Sequence, residues 1–139
     1  MATRNKIVLV YGTADLTAQS AAKTATTLFT PAVSGMYRIS IYLQVTRAAT
    51  TSSVLGGTNG TVITFTEPDG NVAQSVTAEL STQAGASATT NAGNTTTTVL
   101  YGTVVVNAKA AVAIQYAIDY TSVGATTMQY AAHLRCEPI

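Results

Sequence analysis

The side chains that carry most protein chemistry are scarce in this sequence. It holds one histidine, His133, and one cysteine, Cys136, in 139 residues. Catalysis of the Ser–His–Asp type needs a histidine held beside a serine, and a zinc site needs about four Cys, His or carboxylate ligands. One His and one Cys do not supply a zinc site. We therefore expect no catalytic centre and no bound metal, and the sequence predicts a protein that is not an enzyme.

The carboxylates do not form a recognisable catalytic pair either. A glycosidase places two carboxyl groups roughly 5–9 Å apart across a cleft. Glu67 and Asp69 stand close together in the sequence, and their oxygens are of the kind that calcium binds, but both residue types also suit the Pro-Gly turn in which they occur. The glycine-rich stretch 56–60 (GGTNG) lacks the lysine of a phosphate-binding loop. We expect no cofactor.

The low charge of the chain limits its partners. Only 9% of the residues are charged, the net charge is +1, and the seven basic residues are scattered from Arg4 to Arg135. Nucleic-acid binding needs clustered Lys and Arg, so no nucleic-acid partner is expected. Weakly charged faces lose their water at little cost and suit close packing against copies of themselves. This composition favours a homo-oligomer.

No stretch of the sequence predicts a targeting or membrane segment. The apolar run at residues 7–11 (IVLVY) is too short for a signal peptide or a membrane span. We expect synthesis in a host cytoplasm without a signal peptide, and no membrane insertion. A single cysteine allows no internal disulfide.

The elements that would position any site are β-strands. Alternating apolar runs, separated by Gly, Ser, Thr and Asn, predict eight strands at about 7–11, 26–30, 35–46, 61–67, 72–80, 97–107, 111–121 and 126–137. Residues 12–25 are Ala-rich, and their pattern is compatible with either a loop or a helical turn. We predict a single-domain, two-sheet antiparallel β-sandwich, jelly-roll-like, over residues 26–139, with residues 1–25 as an N-terminal arm and first strand. An immunoglobulin-like sandwich is the alternative, but the Cys–Trp–Cys core of that fold is missing.

Two hairpins are predicted. The first turns at Glu67-Pro68-Asp69-Gly70, where Pro presets φ, Asp favours the next position and Gly accepts a left-handed one. The second joins strands 111–121 and 126–137 through a loop at 123–125, with Gly at its centre. In that register Tyr120 faces Met128, Ile118 faces Tyr130, and Ile114 faces Leu134.

Period-two alternation also divides candidate functional residues from core residues. The side chains predicted to point inward are Tyr37, Ile39, Ile41, Leu43, Val45, Tyr116, Tyr120, Tyr130 and Cys136. The outward-facing residues that we select as a candidate interface are Tyr42, Ala113, Ala117, Ala131 and His133. Small outward side chains allow sheets of adjacent copies to approach closely. Tyr42 suits packing against a neighbouring subunit or stacking on a sugar, and His133 a solvated or interface-facing position.

The other candidate functional residues lie in two segments rich in Gly, Ser, Asn and Thr, and at the N-terminus. Segments 47–60 and 81–96 are predicted to be surface loops, where all-β domains usually carry recognition. In a glycan site, Asn59, Asn91 and Asn94 would exchange hydrogen bonds with the sugar. The N-terminal segment, residues 1–25, is a candidate docking arm because it holds three of the seven basic residues, Arg4, Lys6 and Lys23.

One stretch of the chain resembles a known family. Residues 28–42 (LFTPAVSGMYRISIY) place Phe29, a short loop, a Gly-x-Tyr at Gly35–Tyr37 and an alternating strand in succession. This order is similar to a segment of complement- and tumour-necrosis-factor-like jelly-roll heads, and 102–106 followed by 114–116 resembles their late strand pair. Domains of this kind also occur on phage virions as tail-fibre tips and capsid-decorating proteins, usually as trimers.

The resemblance implies a function for this chain. The scarcity of aromatic residues in the central strands departs from metazoan heads and favours a phage or prophage virion component. We therefore expect a homotrimeric capsid decoration (cement) protein or small fibre-tip head, located on the virion, with the major capsid protein or a tail structure as partner. A carbohydrate-binding module or lectin using loops 47–60 and 81–96 is the alternative, and a bacterial surface-filament subunit is a third.

Overall fold

The computed structural model describes residues 12–55, 60–82, 87–88 and 98–139. Their strands, in chain order, are β1 (Gly12–Gln19), β2 (Lys23–Phe29), β3 (Gly35–Arg47), β4 (Ser52–Leu55), β5 (Thr61–Glu67), β6 (Val72–Thr77), β7 (Leu80–Thr82), β8 (Ser87–Ala88), β9 (Val99–Ala108), β10 (Ile114–Ile118), β11 (Tyr120–Val123) and β12 (Gln129–Pro138). Within these ranges there is no helix, and hence none that is long and apolar enough to cross a membrane. The predicted all-β class is confirmed.

The strands form two packed antiparallel sheets and a small third one. The six-stranded sheet has the order β1-β12-β3-β9-β7-β8, the four-stranded sheet has the order β2-β10-β5-β6, and β11 pairs with β4. Four antiparallel pairs are nested in the sequence, namely β1·β12, β2·β10, β3·β9 and β5·β6. Rolling this long double strand so that β12 also meets β3 and β10 also meets β5 produces the jelly-roll-like order.

Strand β3 is at the centre of the six-stranded sheet and shows the predicted alternation. Its inward side chains are buried, with Ile39, Leu43 and Val45 fully covered. They pack in one hydrophobic core with inward side chains of β10 and β12, including Tyr116, Tyr130 and Cys136. The period-two pattern with many β-branched residues predicts this face correctly because one side of the strand meets the opposite sheet.

The hairpin predicted at Glu67–Gly70 is confirmed. Strands β5 and β6 pair without a register shift from Val62↔Thr77 to Glu67↔Val72. The left-handed residue is Asn71, with φ 53°, and not the predicted Gly70. Asn is one of the few residue types besides Gly that adopt this conformation readily. The Asn71 Oδ1 accepts a hydrogen bond from Lys109 Nζ at 2.5 Å, which ties the turn to the residue that follows β9.

The second predicted hairpin is wrong. Strand β10 belongs to the four-stranded sheet, whereas β12 belongs to the six-stranded sheet, so the two strands do not pair. Their inward faces are assigned correctly, and they meet across the core instead of side by side. Alternation specifies which face of a strand is buried, but it does not specify the neighbouring strand. Of the predicted contacts, Tyr120 still reaches Met128, donating its hydroxyl hydrogen bond to the Met128 carbonyl at 2.7 Å.

Two predicted strands are divided in the structure. The predicted strand 72–80 breaks after Thr77, because Ala78, which is buried, and Glu79, which is exposed, carry the chain from the four-stranded to the six-stranded sheet as β7 begins. The predicted strand 111–121 breaks at Asp119, where β10 ends and β11 leaves to pair with β4. Both breaks occur where the chain changes sheets, and apolar periodicity does not mark such a change.

The N-terminal part of the described chain is built into the sandwich. Residues 12–25, which the sequence left open between a loop and a helical turn, contain β1 and the start of β2. Strand β1 pairs with β12 from Gly12↔Cys136 onward. The strand predicted at 7–11 lies outside the described residues.

The two predicted loops are also partly strand. Segment 47–60 contains β4, and hydrogen bonds from Arg47 Nε to the Thr127 carbonyl (3.0 Å) and from the Thr50 amide to the Thr126 carbonyl (3.0 Å) fix its first half. Segment 81–96 contains the end of β7 and the short β8. Ser- and Thr-rich composition concealed these strands, and the partner of β4, strand β11, is also distant in sequence.

Candidate interface on the outer face of the six-stranded sheet

One row of side chains crosses the outer face of the six-stranded sheet. Register places one residue of the row on each of five adjacent strands: Asp15, His133, Tyr42, Tyr101 and Ser81. Directly opposite residues of an antiparallel pair have Cβ atoms about 4.5–5.5 Å apart. The row is therefore a continuous line of contacts across the sheet, at right angles to the strands.

Two tyrosines lie at the centre of this row. Tyr42 on β3 is 42% exposed, and Tyr101 on β9, directly opposite, is 46% exposed. Met36 and Val105, exposed residues further along the same two strands, add apolar surface to this face. A half-exposed aromatic pair with further exposed apolar side chains beside it is a surface suited to being covered.

The charged side chains on this face are paired with one another. Asp15 Oδ1 lies 2.6 Å from His133 Nδ1 and accepts a hydrogen bond from Arg135 Nη2 at 3.0 Å. These two contacts, first His133 and then Arg135, lower the pKa of the Asp15 carboxyl below its ordinary value. Further along, Arg38 Nη2 donates to Glu137 Oε1 at 2.5 Å. A partner that covers the face would thus bury paired charges, which costs far less than burying isolated ones.

The structure separates the five candidate interface residues into two groups. Tyr42 and His133 are neighbours in the row, with ring centroids 6.3 Å apart. Ala131 lies on the same face but is only 8% exposed, so it offers little surface. Ala113 and Ala117 alternate with the buried Ile114, Tyr116 and Ile118, so they face outward from the four-stranded sheet on the opposite side of the molecule.

The remaining candidates are placed only in part. Lys23 is the first residue of β2 and pairs with Ile118, so it belongs to the sandwich and not to a free arm. The other arm residues, Arg4 and Lys6, and the three loop asparagines, Asn59, Asn91 and Asn94, lie outside the described residues.

The row itself does not assemble a nucleophile and a base. Asp15 holds His133 as an orienting carboxylate would, but the next residue in the row is Tyr42. Ser81, the serine of the row, is three strands away from His133, or about 14 Å at the usual strand spacing. Cys136 is fully buried, and desolvation, with a smaller effect of the Glu137 charge, raises the pKa of its thiol to about 11. Such a thiol does not ionise near neutral pH.

No metal site is formed by the parts of the chain that the structure describes. They contain no group of three or more His, Cys, Asp or Glu that could hold an ion. The Glu67 carboxylate is instead hydrogen-bonded within the protein. Its Oε2 accepts from the backbone amides of Asp69 and Gly70 in the turn, and its Oε1 accepts from the Asn107 side-chain amide at 2.8 Å. The Gly70 amide is the largest of the effects that lower the pKa of Glu67.

Sequence reasoning missed three members of the row. Ser81 lies at the start of the segment 81–96 that was predicted to be a surface loop. Tyr101 lies in β9, where both faces carry apolar residues, so alternation alone does not identify the outward side. Asp15 lies in the segment whose structure the local pattern left open. Only the pairing of β9 with β3 and of β1 with β12 brings Tyr101 and Asp15 beside Tyr42 and His133.

Comparison with known proteins adds no relative: no family model matches this chain, and neither does any curated protein.

Proposed function

We propose that this protein is a non-enzymatic structural component of a phage virion, a capsid decoration protein or a small fibre-tip head, that acts as a homotrimer. The observation that carries the proposal is the outer face of the six-stranded sheet. It combines an exposed tyrosine pair with charges already neutralised within the face. Burying such a face against another copy of the chain is favourable. A function of this kind depends on the buried area and the symmetry of the assembly, and it requires no catalytic residue.

The fold agrees with this proposal without proving it. Jelly rolls are common among viral capsid proteins, and they also occur among lectins, so the fold alone does not select a function. The resemblance of residues 28–42 to jelly-roll heads supports a trimeric head. The aromatic pair favours subunit packing over sugar binding because it lies on the two central strands of the six-stranded sheet, β3 and β9, in the middle of a broad face.

Particles released by cells that produce this protein test its location. We expect the chain to remain with particles through a density gradient, as measured by quantitative mass spectrometry against the main shell protein. Many copies per particle would identify a decoration protein, and few copies a fibre tip. Recovery of the chain only in particle-free fractions would contradict the proposal.

A matched pair of variants connects this test to the tyrosine face. Tyr42→Glu with Tyr101→Glu places two unpaired charges on the face and should remove the protein from particles. Val123→Glu likewise adds an unpaired carboxylate in place of an exposed apolar side chain, at a residue that is 50% exposed on β11, outside the six-stranded sheet. This control variant should stay with the particles.

A further inference from the structure

Three of the four edges of the two larger sheets carry features that discourage pairing with another strand. Strand β1 has an irregular register between Leu16 and Gln19, with Ala18 at φ 52° and the charged Asp15 nearby. Strand β2 carries Lys23 and two register shifts against β10. Strand β8 is two residues long. Bulges, charges and short length are the usual protections of an exposed edge.

The fourth edge, β6, has none of these features. Its six residues, Val72-Ala73-Gln74-Ser75-Val76-Thr77, include no charge and no proline. They pair with β5 in an unbroken register, and all six are exposed. Among the described strands, β5 is the one that pairs with β6. Strand β6 thus presents a regular row of backbone donors and acceptors to solvent.

The two valines of β6 point to the core side of the sheet but lie beyond the edge of the core. Val76 pairs with Ile63, a fully buried residue, and Val72 lies on the same side of the strand. Nevertheless, Val72 is 50% exposed and Val76 is 39% exposed. The sandwich therefore ends with two valines whose inward faces are not covered.

We propose that β6 pairs antiparallel with β6 of a second copy about a two-fold axis at Gln74. A two-fold axis perpendicular to the sheet leaves each face of β6 on the same side of the joined sheet in both copies. Because side chains alternate between the faces, directly paired residues must be both even-numbered or both odd-numbered. Centring the pair on Gln74 places Val72 opposite Val76 of the second copy, and Val76 opposite its Val72. Gln74 faces its own counterpart between the two valine pairs.

This register explains why the second copy is the occupant. The exposed valines lie two residues to either side of Gln74. In the symmetric pair, Val72 of each copy therefore covers Val76 of the other, and cross-strand pairs of β-branched residues are favourable. No charges oppose each other because β6 has none. The joined sheet would have eight strands, and its two ends would be the protected β2 strands. The unprotected edge of the four-stranded sheet would disappear.

This pairing does not rest on the trimer. It uses a sheet edge, whereas the proposed trimer uses the outer face of the other sheet, so either contact can form without the other. Where both form, the two-fold contact would link trimers to one another. A disulfide crosslink between two β6 strands reports the edge contact separately, because it gives a band of two chains on a non-reducing denaturing gel whether or not the trimer forms.

Cysteine substitution at Gln74 is the sharpest test. In the proposed register the two Cα atoms at position 74 are about 4.5–5.5 Å apart, within the range that a disulfide spans. Oxidation of Gln74→Cys at high protein concentration should give a two-chain product. The native Cys136 is fully buried, so the wild-type protein serves as the blank.

Val72→Cys is the matched control. Position 72 lies four residues from its counterpart in this register, or about 13 Å along the strand, so the same oxidation should give little product. Crosslinking of Gln74→Cys at least tenfold faster than Val72→Cys would support the proposal. Equal rates, or no product from Gln74→Cys, would overturn it.

A charge exchange tests the same register without a crosslink. Val72→Lys with Val76→Lys opposes like charges across the axis and should abolish association through β6. Val72→Lys with Val76→Glu, in one chain, opposes Lys to Glu at both valine pairs and should restore it. The two variants differ in one residue, and circular dichroism checks that each is folded. If the Lys/Glu protein associates no better than the Lys/Lys protein, the register is wrong.

Discussion

Asp15 joins β1 to β12 through its side chain as well as through the backbone ladder. Its Oδ1 meets both His133 and Arg135, which are two residues apart on the outward side of β12. Since β1 is an edge strand with an irregular register, this cluster is its main side-chain attachment on the outer face. The lowered pKa of Asp15 means that the folded protein holds the ionised carboxylate more favourably than the unfolded chain does.

Substituting Asp15→Asn should therefore lower stability in a pH-dependent manner. A carboxyl whose pKa is depressed on folding adds stability above its unfolded value, here 3.8, and loses it as the pH falls through the folded value. At neutral pH we expect a small decrease in Tm, because the group is exposed. The difference between variant and wild type should vanish in acid.

Thermal melts followed by circular dichroism between pH 2 and 7 measure this effect. Glu79→Gln is the control, since it removes a carboxylate from an exposed position outside the cluster. A decrease in Tm for Asp15→Asn that is the same at every pH would contradict the assigned ion pairs.

At the scale of single residues, the sequence predicts burial better than it predicts contacts. Alternation assigned Tyr42 and His133 to the outside and Cys136 to the inside, all in agreement with the structure. It did not identify Tyr101 or Asp15 as their neighbours. Each of those contacts depends on which strands are adjacent, and that information comes from the whole fold.

At the scale of elements, β1 and β2 approach each other unusually closely at Gly12. A Cβ atom built there would lie 2.2 Å from the Leu28 carbonyl oxygen and 2.7 Å from Phe29 Cβ. These two strands belong to different sheets, so Gly12 is a point at which the two layers of the sandwich touch at one rim. Only the absence of a side chain permits this contact.

Gly12→Ala should destabilise the protein by about 1–3 kcal/mol, because the backbone of β2 must move to admit the methyl group. Urea unfolding measures the change. Gly70→Ala is the control, since its Cβ would meet only a Val72 methyl group at 3.3 Å and the residue has no positive φ. We expect a change within about 0.5 kcal/mol there. Equal effects at the two positions would show that the close approach at Gly12 is absent.

Strand neighbours are the part of the fold that the sequence did not predict. The hairpin at Glu67–Gly70 was predicted because its turn chemistry is local, and the structure confirms it. The pairing of 111–121 with 126–137 was inferred from matching faces alone, and those faces meet across the core instead. The strand β4 was missed because Ser- and Thr-rich segments become strands only when a distant partner, here β11, pairs with them.

At the scale of the whole molecule, the fold leaves two different surfaces for assembly. Four nested strand pairs close the core and cover most apolar side chains. Most of the large apolar side chains that remain exposed lie on the tyrosine face of the six-stranded sheet or on the β6 edge of the four-stranded sheet, and Val33, Val123 and Ile139 lie elsewhere. Strand β6 carries no charge, and the charges of the tyrosine face are paired with one another, so either surface can be covered without burying an isolated charge. We regard the first as the trimer surface and the second as a two-fold contact between copies.

The most direct test of the trimer is the solution mass of dilute protein, measured by light scattering on a sizing column. We predict three times the 14.3 kDa chain mass for the wild type and for Val123→Glu, and a folded single chain for Tyr42→Glu with Tyr101→Glu. A wild-type protein with the mass of one chain, or a doubly substituted protein that keeps the trimer mass, would contradict assembly through the tyrosine face.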